Sequence, residues 1–192
     1  MQKRIIPFIF LLFFLFLNLL INPAFATEIF NDGFESGDFS AWTGTTVTAD
    51  EADLSVQSTE KYQGGYGADA YIHYTSSWWL NAYCYKNLGS THSKLYARAY
   101  FKFTGTFPAQ EITSILELRL SGTSPYTVIC IGVNDGGNGW FIQYTDGDSK
   151  QTETVSDTVQ TGVWYCLEIM EIRQMANWKF GKTVQAYGAK QA

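Results

Sequence analysis

Basic side chains are few in this chain: 13 Lys and Arg stand against 18 Asp and Glu in 192 residues, a formal net charge of −5. Two of the 13, Lys3 and Arg4, precede an apolar run; without them the balance is 11 against 18, a net of −7. No run of basic residues occurs after that point. Nucleic acids and anionic membranes attract clustered Lys and Arg, so neither is an expected partner. Histidine is rarer still. His73 and His92 are the only two, each near a strand end and outside any nucleophile motif. The three cysteines, Cys84, Cys130 and Cys166, match no zinc-site spacing. They leave open one disulfide with a free thiol or no disulfide at all, because each sits in an apolar run where a thiol behaves as a small hydrophobe. Amphipathic helices are missing after residue 26, and Gly64–Gly67 lack the strand-to-helix context of a phosphate loop.

Long apolar runs are confined to the N-terminus. Ile5–Ile21 follows Lys3 and Arg4 and gives way to Asn22-Pro23-Ala24-Phe25-Ala26. Ala24 and Ala26 fit an A-x-A cleavage site, so residues 1–26 read as a secretory signal peptide. The competing reading is an uncleaved anchor, since the run is only just short of a spanning helix. On either reading the chain leaves the cytoplasm, for the extracellular space or the cell surface. Residues 27–192 then form one domain, long enough for a substantial core.

Aromatic residues, by contrast, are plentiful at 17%, with 12 Tyr and 6 Trp. Such side chains suit pleated surfaces, and their flat faces can also stack on sugar rings. Period-two alternation is clear at residues 94–103, where Leu95, Ala97, Ala99, Phe101 and Phe103 oppose Tyr96, Arg98, Tyr100 and Lys102. Residues 112–120 repeat the pattern, with Leu116, Leu118 and Leu120 on one side and Glu117 and Arg119 on the other. Further strands are expected at 54–57, 68–72, 78–88, 126–133, 140–145, 150–155 and 163–172. The Asn134–Gly139 turn and the Asp146-Gly147 pair link three of them as a meander. Nine short strands with Gly, Asp and Asn turns predict an all-β fold, an antiparallel two-sheet β-sandwich.

The stretch from Asp32 to Trp42 reads D-G-F-E-S-G-D-F-S-A-W. It is too polar for a buried strand and too aromatic for a linker. A structured loop is expected, with Phe34 and Trp42 anchored to a core and the carboxylates facing outward. This motif, the G-G-Y-G-A phrase at Gly64–Ala68 and the W-Y-C-L-E step at Trp164–Glu168 resemble secreted jelly-roll domains of the concanavalin A-like lectin/glucanase (LamG-like) group. The resemblance implies a jelly roll that binds polysaccharide or another glycan. It also implies a structural Ca²⁺ held through Asp32 and Glu35, since calcium takes oxygen ligands from carboxylates and carbonyls. The alternative reading of that loop is a solvated turn whose Asp or Ser caps nearby amides.

Two rivals share this fold: a polysaccharide lyase or glycoside hydrolase, and a non-catalytic adhesion or structural domain. A hydrolase needs two carboxylates about 5–9 Å apart, and no E-x-D-x-x-E phrase is present. The resemblance places a lyase's Gln and His at Leu116-Glu117-Leu118-Arg119, where neither residue occurs. For glycan binding, the outward set on the meander is Glu117, Arg119, Tyr126, Trp140 and Tyr144. Alternation equally permits the opposite phase, with Trp140 and Tyr144 in the core. A second outward set, Tyr96, Arg98 and Tyr100, belongs to the opposite sheet, so the two cannot form one site. The tail departs from the family's closing phrase N-G-K-L-x-x-W-x-N-G. In a shifted reading frame, one choice of codons for the region around Asn177 spells GKLEIWQNGASLW, so a frameshifted or truncated end without its closing strand is expected.

Overall fold

The computed structural model describes residues 27–73, 80–107, 113–120, 126–146, 149–172 and 183–188. Met1–Asn31 and Asp32–Ala192 are separate compact units. Of the first, residues 27–31 are described and carry no regular structure. The second is all-β. Its strands are β1 (Gly44–Val47), β2 (Ala52–Gln57), β3 (Gly67–Ile72), β4 (Ala82–Tyr85), β5 (Lys94–Lys102), β6 (Thr113–Leu120), β7 (Tyr126–Asn134), β8 (Gly139–Asp146), β9 (Ser149–Val155), β10 (Trp164–Ile172) and β11 (Thr183–Gly188). Helical structure among the described residues is limited to one 3₁₀ turn, Asp135–Gly137.

Every pairing is antiparallel. The strands form a four-stranded sheet in the order β6-β7-β8-β9, a three-stranded sheet β11-β10-β5, and two pairs, β1-β4 and β2-β3. The meander expected from the turns is the four-stranded sheet. Asn134 pairs with Gly139 across the first turn, and Asp146 pairs with Ser149 across the second.

The two larger sheets bury one face each against the other. Ile129, Ile131, Val133 and Trp140 from β7 and β8 meet Tyr165, Leu167 and Ile169 from β10, with Ala97, Phe101 and Phe103 packed at the side. Leu167 is fully buried, and Ile131 and Ile169 nearly so. Each such side chain stabilises the fold by about 1.5–3 kcal/mol relative to an exposed position. Val159, from the loop before β10, closes one end of this core, and its N–H donates to the Gly137 carbonyl at 2.8 Å. The Tyr165 hydroxyl accepts the Gln160 N–H at 2.8 Å, which satisfies the polar end of a buried ring. A bulge between Ser114 and Leu116 adds Ile115 to the residues lining the core beside Leu116 and Leu118.

β7 is buried on both faces: Val128 and Cys130 oppose Ile129 and Ile131. On that second face Gly132 lies under the Phe141 ring, and a Cβ there would come within 2.3 Å of the ring. The close approach requires glycine.

Several expectations need correction. Gly44–Val47 is a strand that the expected set does not include; β-branched threonine suits an edge pairing such as β1-β4. Of the strand expected at 78–88, residues 78 and 79 lie outside the described ones, and among residues 80–88 the strand is Ala82–Tyr85. The tail does contribute a closing strand, because β11 pairs with β10 from Tyr165↔Gly188 to Met170↔Thr183. Its partner is β10 rather than a strand near the N-terminus. The codons at issue in the frameshift expectation, Arg173–Phe180, lie outside the described residues.

Candidate functional site

The meander set divides between two faces. Glu117 pairs with Cys130, Cys130 with Gln143 and Gln143 with Thr152, so these four side chains form one row on the face away from the core. The Arg119 Nε–H donates to Glu117 Oε2 at 2.6 Å, and the guanidinium carbon lies 5.5 Å from the Tyr83 ring centre. The Glu117 hydrogen bond, the main influence, holds the Arg119 guanidinium above its ordinary value. Cys130 sits in the same row and takes a 3.9 Å contact from Ser114 Oγ. Burial pushes its thiol up.

Trp140 is not part of that row. It pairs with Val133, is 5% exposed, and meets Tyr165 edge-on at 5.1 Å in the core. Its place in the outward set is therefore corrected: positions 140, 142 and 144 share the core phase, and the row with Glu117 takes 141 and 143. Tyr144 pairs with Ile129 and packs against the core, while its hydroxyl donates to Glu153 Oε1 at 3.1 Å. Tyr126 opens β7 opposite Leu120, and its side chain lies outside the described residues. Of the five residues, Glu117 and Arg119 are the two brought together.

Exposed aromatics gather instead on the outer face of the three-stranded sheet. β5 presents Lys94, Tyr96, Arg98, Tyr100 and Lys102 there, paired in turn with Ile172, Met170, Glu168, Cys166 and Trp164 of β10. Tyr96 is 55% exposed and Tyr100 40%. Tyr62, from the loop between β2 and β3, stacks on Tyr100 with centroids 4.0 Å apart and planes 9° from parallel. It also meets Trp164 edge-on at 5.5 Å. The Lys94 ammonium lies 5.2 Å from the Tyr96 ring centre, and Lys102 lies 5.3 Å from that of Trp164 while pairing with Glu60. Arg98 Nε–H donates to Glu168 Oε1 at 2.5 Å, and that bond raises the guanidinium above its ordinary value. The neighbouring Cys166 sulfur, with some burial, raises the Tyr100 phenol. Tyr96, Arg98 and Tyr100 were legible as an outward set; Tyr62 was not, because only folding brings its loop to β5.

The opening loop leaves Glu35 and Asp38 exposed, as expected, and holds Asp32 half-buried. Asp32 Oδ1 accepts the Phe34 N–H at 2.9 Å, and Asp32 Oδ2 accepts the Trp42 indole N–H at 2.6 Å. Phe34 and Trp42 stack with planes 4° apart, and Phe39 meets Phe34 edge-on. Phe34 has a φ of 62°, a left-handed conformation that its neighbours must hold. Glu35 reaches across the sequence to accept the N–H groups of Gly65, at 3.0 Å, and Tyr66, at 3.2 Å. Asp32 and Glu35 thus serve two different sets of N–H donors. Among the described residues, no group of three or more His, Cys, Asp or Glu side chains is placed to hold a metal ion.

No protein-family model, curated protein or solved structure matches this chain.

The histidines make local contacts. His73 Nε2 lies 2.9 Å from Asp53 Oδ2, both exposed, and its ring stands edge-on to Tyr71 at 4.8 Å. His92 Nε2 lies 3.2 Å from Ser90 Oγ, two residues away on an exposed turn. A Ser–His contact of this kind resembles half of a hydrolytic triad, but both partners lie on one turn, where a local side-chain bond is ordinary. The three cysteines are free thiols, with Cys130 and Cys166 buried. Burial, the largest influence, pushes the Cys84 thiol up to about 11.

Proposed function

We propose that the protein is a secreted glycan-binding module on a jelly-roll scaffold, and that its sugar platform is the outer face of β5 and β10. The observation that carries the reading is the Tyr62–Tyr100 stack beside exposed Tyr96, with Arg98 between Tyr96 and Tyr100 on the same strand face. Alternate residues on a strand stand about 6.6–6.8 Å apart, so Tyr96 and Tyr100 are separated by about 13 Å. That span suits rings separated by at least one intervening sugar of an extended oligosaccharide, one over Tyr96 and one at the Tyr62–Tyr100 pair. Aromatic faces supply flat apolar contact, and Arg98 supplies directed N–H donors for hydroxyls. The stack also limits the entropy lost on binding, because Tyr62 and Tyr100 are already held against each other.

Affinity electrophoresis against a panel of soluble polysaccharides tests this reading. Tyr96→Ala and Tyr62→Ala each weaken retardation by the bound polymer, with the folded state intact by circular dichroism. Retardation by none of the polymers would end the glycan reading and leave the adhesion domain. Appearance of shortened or unsaturated products would replace binding with hydrolysis or lyase chemistry.

A further inference from the structure

We infer that the β5 face selects anionic polysaccharides, chains bearing carboxylate or sulfate groups, over neutral ones. The inference rests on the glycan-binding reading above and adds the charge of the ligand. Along β5 the outward residues alternate cation and aromatic: Lys94, Tyr96, Arg98, Tyr100, Lys102. Three of the chain's 13 basic residues therefore lie on one face of one strand, in a molecule of net charge −5. Two carboxylates answer them, Glu168 at Arg98 and Glu60 at Lys102. Lys94 enters no salt bridge among the described residues and lies over the Tyr96 ring, at the end of the strip.

Arg98 remains available for a ligand. Its side chain is 62% exposed, and it meets Glu168 through Nε and one terminal nitrogen. A guanidinium has five N–H donors in a planar fork, so donors remain for a second anion. With cations and rings alternating, a sugar ring on Tyr96 sets its acidic substituent beside Lys94 or Arg98. Each cation stands about 6.6–6.8 Å along the strand from its aromatic neighbour.

Single-stranded nucleic acid also pairs stacking bases with cations, but it needs a groove that tracks a dense phosphate backbone. The Lys102 side chain is only 14% exposed and is paired with Glu60, so Lys94 and Arg98 are the cations within reach, and two cations on an otherwise acidic protein favour the sparser charge of an acidic glycan.

The test uses matched polymers: polygalacturonate and its carboxyl-reduced derivative, and dextran sulfate and dextran, with single-stranded DNA as a further probe. At low salt the charged member of at least one pair binds about tenfold tighter than its neutral match, and the gap closes near about 0.5 M NaCl. Preference within only one pair supports the inference and names the anion. Lys94→Gln narrows the preference and changes neutral-polymer affinity by less than about twofold, whereas Arg98→Gln, which also removes donors to sugar hydroxyls, lowers affinity for both members of a pair and for the charged one more. Equal binding of charged and neutral partners, both lost in Tyr96→Ala, overturns the charge selection and leaves the glycan reading standing. No binding of any polymer overturns both, as does tighter binding of the DNA than of any polysaccharide.

Discussion

Replacing Glu35 with alanine tests how the opening motif reaches a face made by other strands. The Glu35 carboxylate accepts the N–H groups of Gly65 and Tyr66, a few residues beyond Tyr62 in the same β2–β3 loop. The fit is close: Gly64 has a φ of 78°, and a Cβ there would lie 2.3 Å from Glu35 Oε1. Hydrogen bonds to a charged group contribute about 1.5–3 kcal/mol each when sheltered. In this exposed loop about 1 kcal/mol per donor is a fairer figure, or about 2 kcal/mol for the two. Removing the carboxylate should then lower amide-exchange protection at Gly65 and Tyr66 by about thirtyfold. Tyr62 loses part of the support that holds it on Tyr100, so polysaccharide affinity falls about three- to tenfold, although Glu35 is not a platform residue. Glu35→Gln keeps an acceptor without the charge and gives intermediate values. Unchanged exchange at both amides in Glu35→Ala would refute the link between motif and platform.

Four other outcomes follow from the packing and the charges. Leu167→Ala, at a fully buried position between the sheets, lowers unfolding free energy in urea by about 2–5 kcal/mol; Tyr96→Ala, on the surface, changes it by less than about 0.5 kcal/mol. Trp140→Ala behaves as a core change, with a loss of about 3–5 kcal/mol, whereas a ligand contact would lower affinity and spare stability. Burial holds the Cys84 thiol neutral and raises it to about 11. The stability this confers is complete below the ordinary thiol value and disappears as pH rises through about 11. Alkaline denaturation should therefore begin later in Cys84→Ala, and native Cys84 should react slowly with thiol reagents at neutral pH. With the Asp32 and Glu35 carboxylates already accepting N–H bonds, adding and then chelating calcium should move the melting temperature by less than about 2 °C, a shift worth at most about 1 kcal/mol; a larger shift would mark a structural calcium site.

The strands were legible where alternation was strong. Residues 94–103 and 163–172 announced β5 and β10, and the Asn134–Gly139 and Asp146-Gly147 turns announced the meander. Legibility failed where phase or partner decides. Trp140 and Phe141 are adjacent and both apolar, so either could face the core; both prove buried, on opposite faces of β8. The phase is set by register, Trp140 with Val133 and Phe141 with Gly132, and register depends on chain pairing that no single strand encodes. β1 was hidden because Gly44–Val47 has little apolar content and draws its pairing from β4, nearly forty residues later. The partners of the opening loop's carboxylates were hidden for a similar reason. The partners of Asp32 include an indole ten residues away, and those of Glu35 are amides about thirty residues away.

Scarcity of positive charge concealed the feature that best distinguishes the β5 face. A scan for basic runs finds none, because in a strand the residues of one face are never neighbours in sequence. Lys94, Arg98 and Lys102 are separated by Leu95, Ala97, Ala99 and Phe101 on the core side and by two tyrosines on their own. Folding gathers what the linear count disperses. The same acidic balance that argues against nucleic acid also makes the strip stand out, since repulsion from 18 carboxylates would keep an acidic polymer away from the rest of the surface. Lys94 and Arg98, the exposed cations of the strip, flank the Tyr96 ring and then offer an approach with both charge and stacking. If acidic polysaccharides bind, they should do so along β5, and neutralising Lys94 and Arg98 should leave them no second place of comparable affinity.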